Sequence, residues 1–137
     1  MKAPRWLSEM MVYAIHKNIT LHLGNCCVKI QDATPLNTIL LKPQQLFHHQ
    51  HADLATLAAS YGFHLAQQHV FVTYNVQVAW IAIYTFLGLN GCYLQTTEDE
   101  VLILLNQLKN QLITETELAT WLRSRMNSTF KREDSVP

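Results

Sequence analysis

Apolar residues recur three and four positions apart along most of this chain, the spacing that lines one face of an α-helix. In "LSEMMVYAIHKNITLHLG", Met11, Ile15, Ile19 and Leu23 fall near one face, Ser8 stands where an N-cap is needed and Gly24 where a helix stops. "TPLNTILLKP" predicts a second helix of about two turns, with Thr34 as cap, Pro35 at the first helical position and Pro43 as its end. "QQLFHHQH" is polar and short, and is expected to form a turn leading into an exposed loop. "ADLATLAASYGFHLAQQ" places Leu54, Leu57, Ala58, Tyr61 and Leu65 at helical spacing, which predicts a long third helix ending near Gln68. From about Asn75 to Asn90 the chain is apolar on every side, as expected for a helix at the centre of a bundle, with Trp80 and Tyr84 in the core. Gly91 follows, where a left-handed cap residue belongs.

"CYLQ" predicts a brief extended segment. Thr97 with Glu100, and Thr114 with Glu117, have capping-box spacing. The first box opens a helix whose stripe is Val101, Leu104, Leu105, Leu108 and Leu112; the second opens one docked by Leu118, Trp121 and Leu122. After Arg125, "MNSTFKREDSVP" has little to bury, and 126–137 is expected to be a flexible tail. The pattern predicts a single all-α domain over 1–125: a bundle of six or seven helices around the 76–89 helix.

Composition narrows what such a bundle can do. Ten basic and ten acidic side chains cancel in 137 residues, so no broad electrostatic footprint favours nucleic acid or an anionic membrane. "VQVAWIAIYTFLGLNGCYL" approaches bilayer length, yet Gln77, Thr85 and Asn90 interrupt it and no basic flank anchors it, so a membrane span is not expected. "MKAPRWLSEM" lacks the apolar core and cleavage site of a signal peptide, and a cytoplasmic location is expected. Cys26, Cys27 and Cys92 form neither an even framework nor a C-x-x-C pair, which suits reduced thiols. A redox role for Cys26–Cys27 would need a basic neighbour to lower a pKa. His48, His49 and His51 offer imidazoles for a transition metal, but with no acid or thiol beside them a solvated loop or a partner contact is the expectation. Asp53, Glu98, Asp99 and Glu100 are explained as helix caps and first-turn acids before they are explained as metal ligands.

One stretch carries candidate chemistry. "HVFVTYNVQ", His69 to Gln77, follows the third helix and opens the apolar one. It resembles the motif H-x-F-x-[D/E]-[G/A]-N-[G/K]-R of the Fic/Doc family, and most of all the death-on-curing branch, the toxins of Phd–Doc toxin–antitoxin modules. The likeness extends through "VYAIHKNIT", "LLKPQQLF", "ADLATLAASYGFHLAQQH", "YTFLGLNGCYL" and "ELATWLRSR" in family order, over about residues 11–125. It implies a Fic/Doc-type helical bundle.

The resemblance implies roles only where residues match. His69 stands at the position of the general base that acts on a target-protein hydroxyl, and its other reading is a capping or core-edge histidine kept by packing. Phe71 stands at that of the phenylalanine that packs inward and fixes the loop, and Asn75 at that of the asparagine that contacts phosphate. Four positions depart. Thr73 replaces the acid that holds Mg²⁺, and a neutral hydroxyl is a poor ligand for that ion. Tyr74 replaces a glycine or alanine, Val76 a lysine and Gln77 an arginine. Losing a metal and two charged hydrogen bonds amounts to roughly 5–9 kcal/mol, or about four to six orders of magnitude in rate. The expectation is therefore a vestigial base (His69), a vestigial phosphate site (Asn75, Gln77), no metal and no cofactor. Such a protein acts by binding a protein partner, either a Phd-like antitoxin helix or a subunit of another complex. The alternative is an active transferase that uses ATP with Mg²⁺ to modify a target-protein hydroxyl.

Overall fold

The structure, a computed structural model, describes residues 3–23 and 30–128. Among them are six helices: α1 (Glu9–His22), α2 (Thr34–Gln50), α3 (Leu54–Gln67), α4 (Asn75–Leu89), α5 (Glu98–Lys109) and α6 (Glu115–Arg125). Two short strands, β1 (Cys92–Leu94) and β2 (Met126–Ser128), pair antiparallel with Cys92 opposite Ser128. The fold is an all-α bundle.

Most helices begin where a side chain accepts an orphan backbone N–H. Ser8 receives that of Met11 and Asp53 that of Thr56, while Thr97 and Thr114 close complete capping boxes with Glu100 and Glu117. Asp53 and Glu100 also tie α6 down, through Arg123 (Nε to Oδ2, 2.7 Å) and Arg125 respectively. These acids are caps and helix clamps. α2 and α4 are the exceptions, with no side-chain cap at the N-terminus.

The helix enclosed on most sides is α3, and not the 75–90 segment. It packs against α2, α4 and α6, and Ala55, Leu57, Ala58, Ala59, Ser60, Tyr61, Gly62, Leu65 and Ala66 are all buried. Its small residues let neighbours approach from several directions, whereas α4 buries Val78, Ala79, Ala82, Ile83, Phe86 and Leu87 and turns its other face outward. Tyr84 is 51% exposed and Ile81 38%, so Tyr84 is not a core residue. Trp80 is half-buried, packed edge-on to Trp121 with ring centroids 6.3 Å apart. Hydropathy alone does not distinguish a helix surrounded by protein from one with an apolar outer face.

Other expectations are corrected as well. α2 runs through Pro43 for 17 residues; burial of Leu36, Ile39, Leu40, Pro43 and Phe47 along one face offsets the missing N–H. Ala33 takes the cap position, one residue earlier than expected. His48 and His49 therefore lie in the last helical turn and His51 is its left-handed cap residue (φ 50°), so they form no loop. α1 buries Val12, Ile15, His16 and Thr20, while Met11 and Leu23 point outward. Residues 126–128 are strand; the rest of the expected tail, Gly24 and the Cys26–Cys27 pair lie outside the described residues.

α3 and α4 approach closely at Gly62, where an added β-carbon would crowd the Ile83 side chain and sit 2.7 Å from its Cγ1. Overpacking of this kind costs about 1–3 kcal/mol, more than the roughly 1 kcal/mol alanine gains over glycine in helix propensity. Gly62→Ala is therefore expected to lower stability to urea. Combination with Ile83→Ala should recover part of the loss, with a coupling of at least about 0.5 kcal/mol. Strictly additive changes would contradict the close approach.

Candidate functional site

The 69–77 loop is held from three directions. The Val70 carbonyl accepts from the N–H groups of Gln31 (2.9 Å) and Asp32 (3.2 Å), and Ile30 and Phe71 form an antiparallel bridge. Phe71 is buried: its ring stacks on His16 at 3.9 Å, with 6° between planes, and meets Tyr13 edge-on. Asn75, at the first position of α4, accepts from the Phe71 N–H (3.1 Å) and donates to the Phe71 carbonyl (2.8 Å). A single amide thus closes the loop as a paired strand would. Much of its hydrogen-bonding capacity is spent inside the protein, where family resemblance assigns it to phosphate.

His16 supplies the third hold. Its Nε2 lies 3.0 Å from the Thr73 carbonyl oxygen. A carbonyl only accepts, so Nε2 carries the proton and Nδ1 is a lone pair. The residue is buried and Nδ1 has no partner among the described residues. Burial holds its pKa below the ordinary value, against the opposing effect of the Thr73 bond. Nothing in the sequence singled His16 out except its place on the buried side of α1, and the stripe assigned to that helix was displaced by one residue.

The loop forms one wall of a cleft of about 570 Å³. Its other wall comes from α5 and the turn beyond, including Asn106, Lys109 and Gln111. His69 and Gln77 are exposed and line it. His69 has no hydrogen bond to a described residue, so the capping reading of this histidine finds no bond there. Lys109 brings a cation to the cleft, where the 69–77 stretch itself has no Lys or Arg. The sequence placed it only as a basic residue in a last helical turn, where it complements the helix dipole in any protein. Among the described residues no carboxylate lines the cleft.

Backbone strain gathers at the same place. Four non-glycine residues among those described have positive φ, and three of them, His69 (48°), Tyr74 (65°) and Gln111 (57°), line this cleft. Tyr74 occupies a left-handed conformation that costs a side chain about 1–2 kcal/mol and glycine almost nothing. The backbone has the conformation of a glycine turn, and the side chain does not. Such strain clusters at functional sites.

A second, apolar groove of about 540 Å³ adjoins the first through Gln77 and Leu105, and is walled by Ile15, Ile19, Trp80 and Ile81. Together the two form a trough between α1, α4 and α5. Elsewhere, His64 Nε2 and Glu115 Oε1 are 3.0 Å apart, and burial pushes the Cys92 thiol pKa up, which makes it a poor nucleophile. Among the described residues no three His, Cys, Asp or Glu side chains are grouped to hold a metal ion, and no helix is long and apolar enough to cross a membrane. No known family's sequence profile and no curated protein matches this chain.

Proposed function

We propose that this chain is a Doc-like protein with a degenerate Fic motif that works by binding a protein partner rather than by catalysing group transfer. The partner it fits best is an amphipathic helix, a Phd-like antitoxin segment or the equivalent from another complex, with apolar side chains in the α1–α4–α5 groove. The observation that carries the reading is the internal use of the motif. Asn75 is spent on the Phe71 backbone, the Thr73 carbonyl on His16, and Tyr74 fills the turn where phosphate would need bare backbone. Mg²⁺–phosphate chemistry needs a hard acidic ligand and full positive charge at the transferring group, and among the described residues the cleft offers one ammonium and an imidazole. On this reading the protein acts without a cofactor.

Lys109 favours a second reading, an ATP-dependent transferase that holds phosphate from α5 in place of the motif arginine. Calorimetry separates the two. The purified protein is expected to bind ATP with Mg²⁺ more weakly than about 1 mM, an affinity of about 4 kcal/mol. A micromolar, Mg²⁺-dependent constant that weakens tenfold or more in Lys109→Met would sink the binding-module proposal. A second arm asks what the binding depends on. His69→Ala should leave partner capture unchanged, and Ile81→Glu in the groove should abolish it.

A further inference from the structure

We infer that His16 positions the cleft loop from behind, and that uptake of one proton on its Nδ1 releases that loop and makes the site proton-sensitive. The inference deepens, and for its functional consequence rests on, the reading of this cleft as the binding site.

The geometry carries it. One imidazole holds the loop twice from α1, by a hydrogen bond from Nε2 to the Thr73 carbonyl and a flat stack against Phe71, beside the edge-on contact of Tyr13 with Phe71. Both hold only for a ring in this position, and the hydrogen bond fixes the Nε2–H tautomer. The second proton of an imidazolium would then sit on Nδ1, which is buried and has no hydrogen-bond partner among the described residues. A buried charge with an unmade hydrogen bond is expelled or neutralised. Because His16 is in the core, the ring can reach water only by leaving Phe71 and Thr73, and the loop loses its inner support.

Among the described residues no charge contributes to the state of His16. α4, which packs against α1, carries no charged residue. α2 touches α1 and carries Lys42, His48 and His49, none of which contributes to the state of His16. The titratable rings beside it are Tyr13 on its own helix, edge-on to Phe71, and Tyr74 on the loop at 6.3 Å. The sign follows: a histidine favoured in its neutral form stabilises the closed loop above the unfolded value near 6.5, and that support is lost as pH falls through the lower folded value. Opening moves Thr73, Tyr74 and the start of α4 together, which are one wall of the cleft.

The test uses the isolated wild-type chain and needs no partner, so it fails or succeeds independently of the proposed function. Long-range ¹H–¹⁵N spectra of the His16 ring, recorded from pH 8 to 5, are expected to show the Nε2–H tautomer and a titration below 6.5. Over the same range the protection factor of the Phe71 amide, bonded to Asn75, should drop by about tenfold per pH unit below 6.5 and level off once His16 has titrated. His16→Gln supplies a donor that does not titrate, and its loop protection should stay flat. An Nδ1–H tautomer, a titration at or above 6.5, or loop protection that ignores His16 protonation would overturn the inference. So would a fall that persists in His16→Gln. If that variant does not fold, the wild-type ring spectra and protection factors decide the matter by themselves.

Discussion

Phe71→Ala is expected to lower the free energy of unfolding by about 3–5 kcal/mol, as for other buried phenylalanines, with urea denaturation as the measurement. The ring is almost wholly buried and joins three elements: it lies flat on His16 of α1, meets Tyr13 edge-on, and its backbone pairs with both Ile30 and Asn75. Truncation leaves a cavity under the loop and removes the stacking partner of a buried histidine, which then gains a route to water. Phe71→Leu, which keeps most of the volume, should cost less, about 1–1.5 kcal/mol. A loss under 1 kcal/mol for Phe71→Ala would mean that the loop is not integrated with the core. The candidate site would then be a surface feature that the bundle carries rather than one it builds.

Much of the bundle was legible in the sequence because its signals are local. Two capping boxes, the Ser8 and Asp53 caps and the left-handed Gly91 each rest on residues a turn apart or less. What was not legible depended on neighbours distant in the chain. Pro43 reads as a helix end, and only the burial of α2 against α3 carries the helix through it. Tyr84 lies in an apolar run, and only the absence of a packed neighbour on that face leaves it exposed. Met126–Ser128 has no pattern of its own and becomes strand because Cys92–Leu94 offers a free edge.

The site divides in the same way. His69, Phe71, Asn75 and Gln77 were found by motif spacing, and three of them line the cleft while Phe71 sits beneath it. Their individual uses were not written in the spacing. Asn75 bonds to backbone four residues earlier, a local contact that any asparagine at a helix start can make. His16 and Lys109 reach the loop and cleft from 57 residues before Thr73 and from the far end of α5, and no local pattern in the chain points to either.

Asn75 provides the sharper separation between a phosphate contact and an architectural one. Asn75→Ala removes the acceptor for the Phe71 N–H and the donor to its carbonyl in a buried setting. At roughly 1–3 kcal/mol for each buried group left unmade, the expected loss is about 2–6 kcal/mol in urea denaturation, with no ligand present. A residue kept only for phosphate would lose under about 0.5 kcal/mol, as surface changes do. Asn75→Asp refines the test. The carboxylate still accepts from the Phe71 N–H, but its other oxygen faces the Phe71 carbonyl, acceptor against acceptor. Burial and that repulsion both favour the protonated acid, whose hydroxyl can donate to the carbonyl as the amide does. The folded-state pKa of the introduced acid therefore rises above its unfolded value near 3.9. Relative to wild type, this variant should be least stable near pH 7 and should recover as pH falls toward 4, while Asn75→Ala shows no such recovery. A pH-independent deficit in Asn75→Asp would mean that the loop had already opened and that the amide does not hold Phe71.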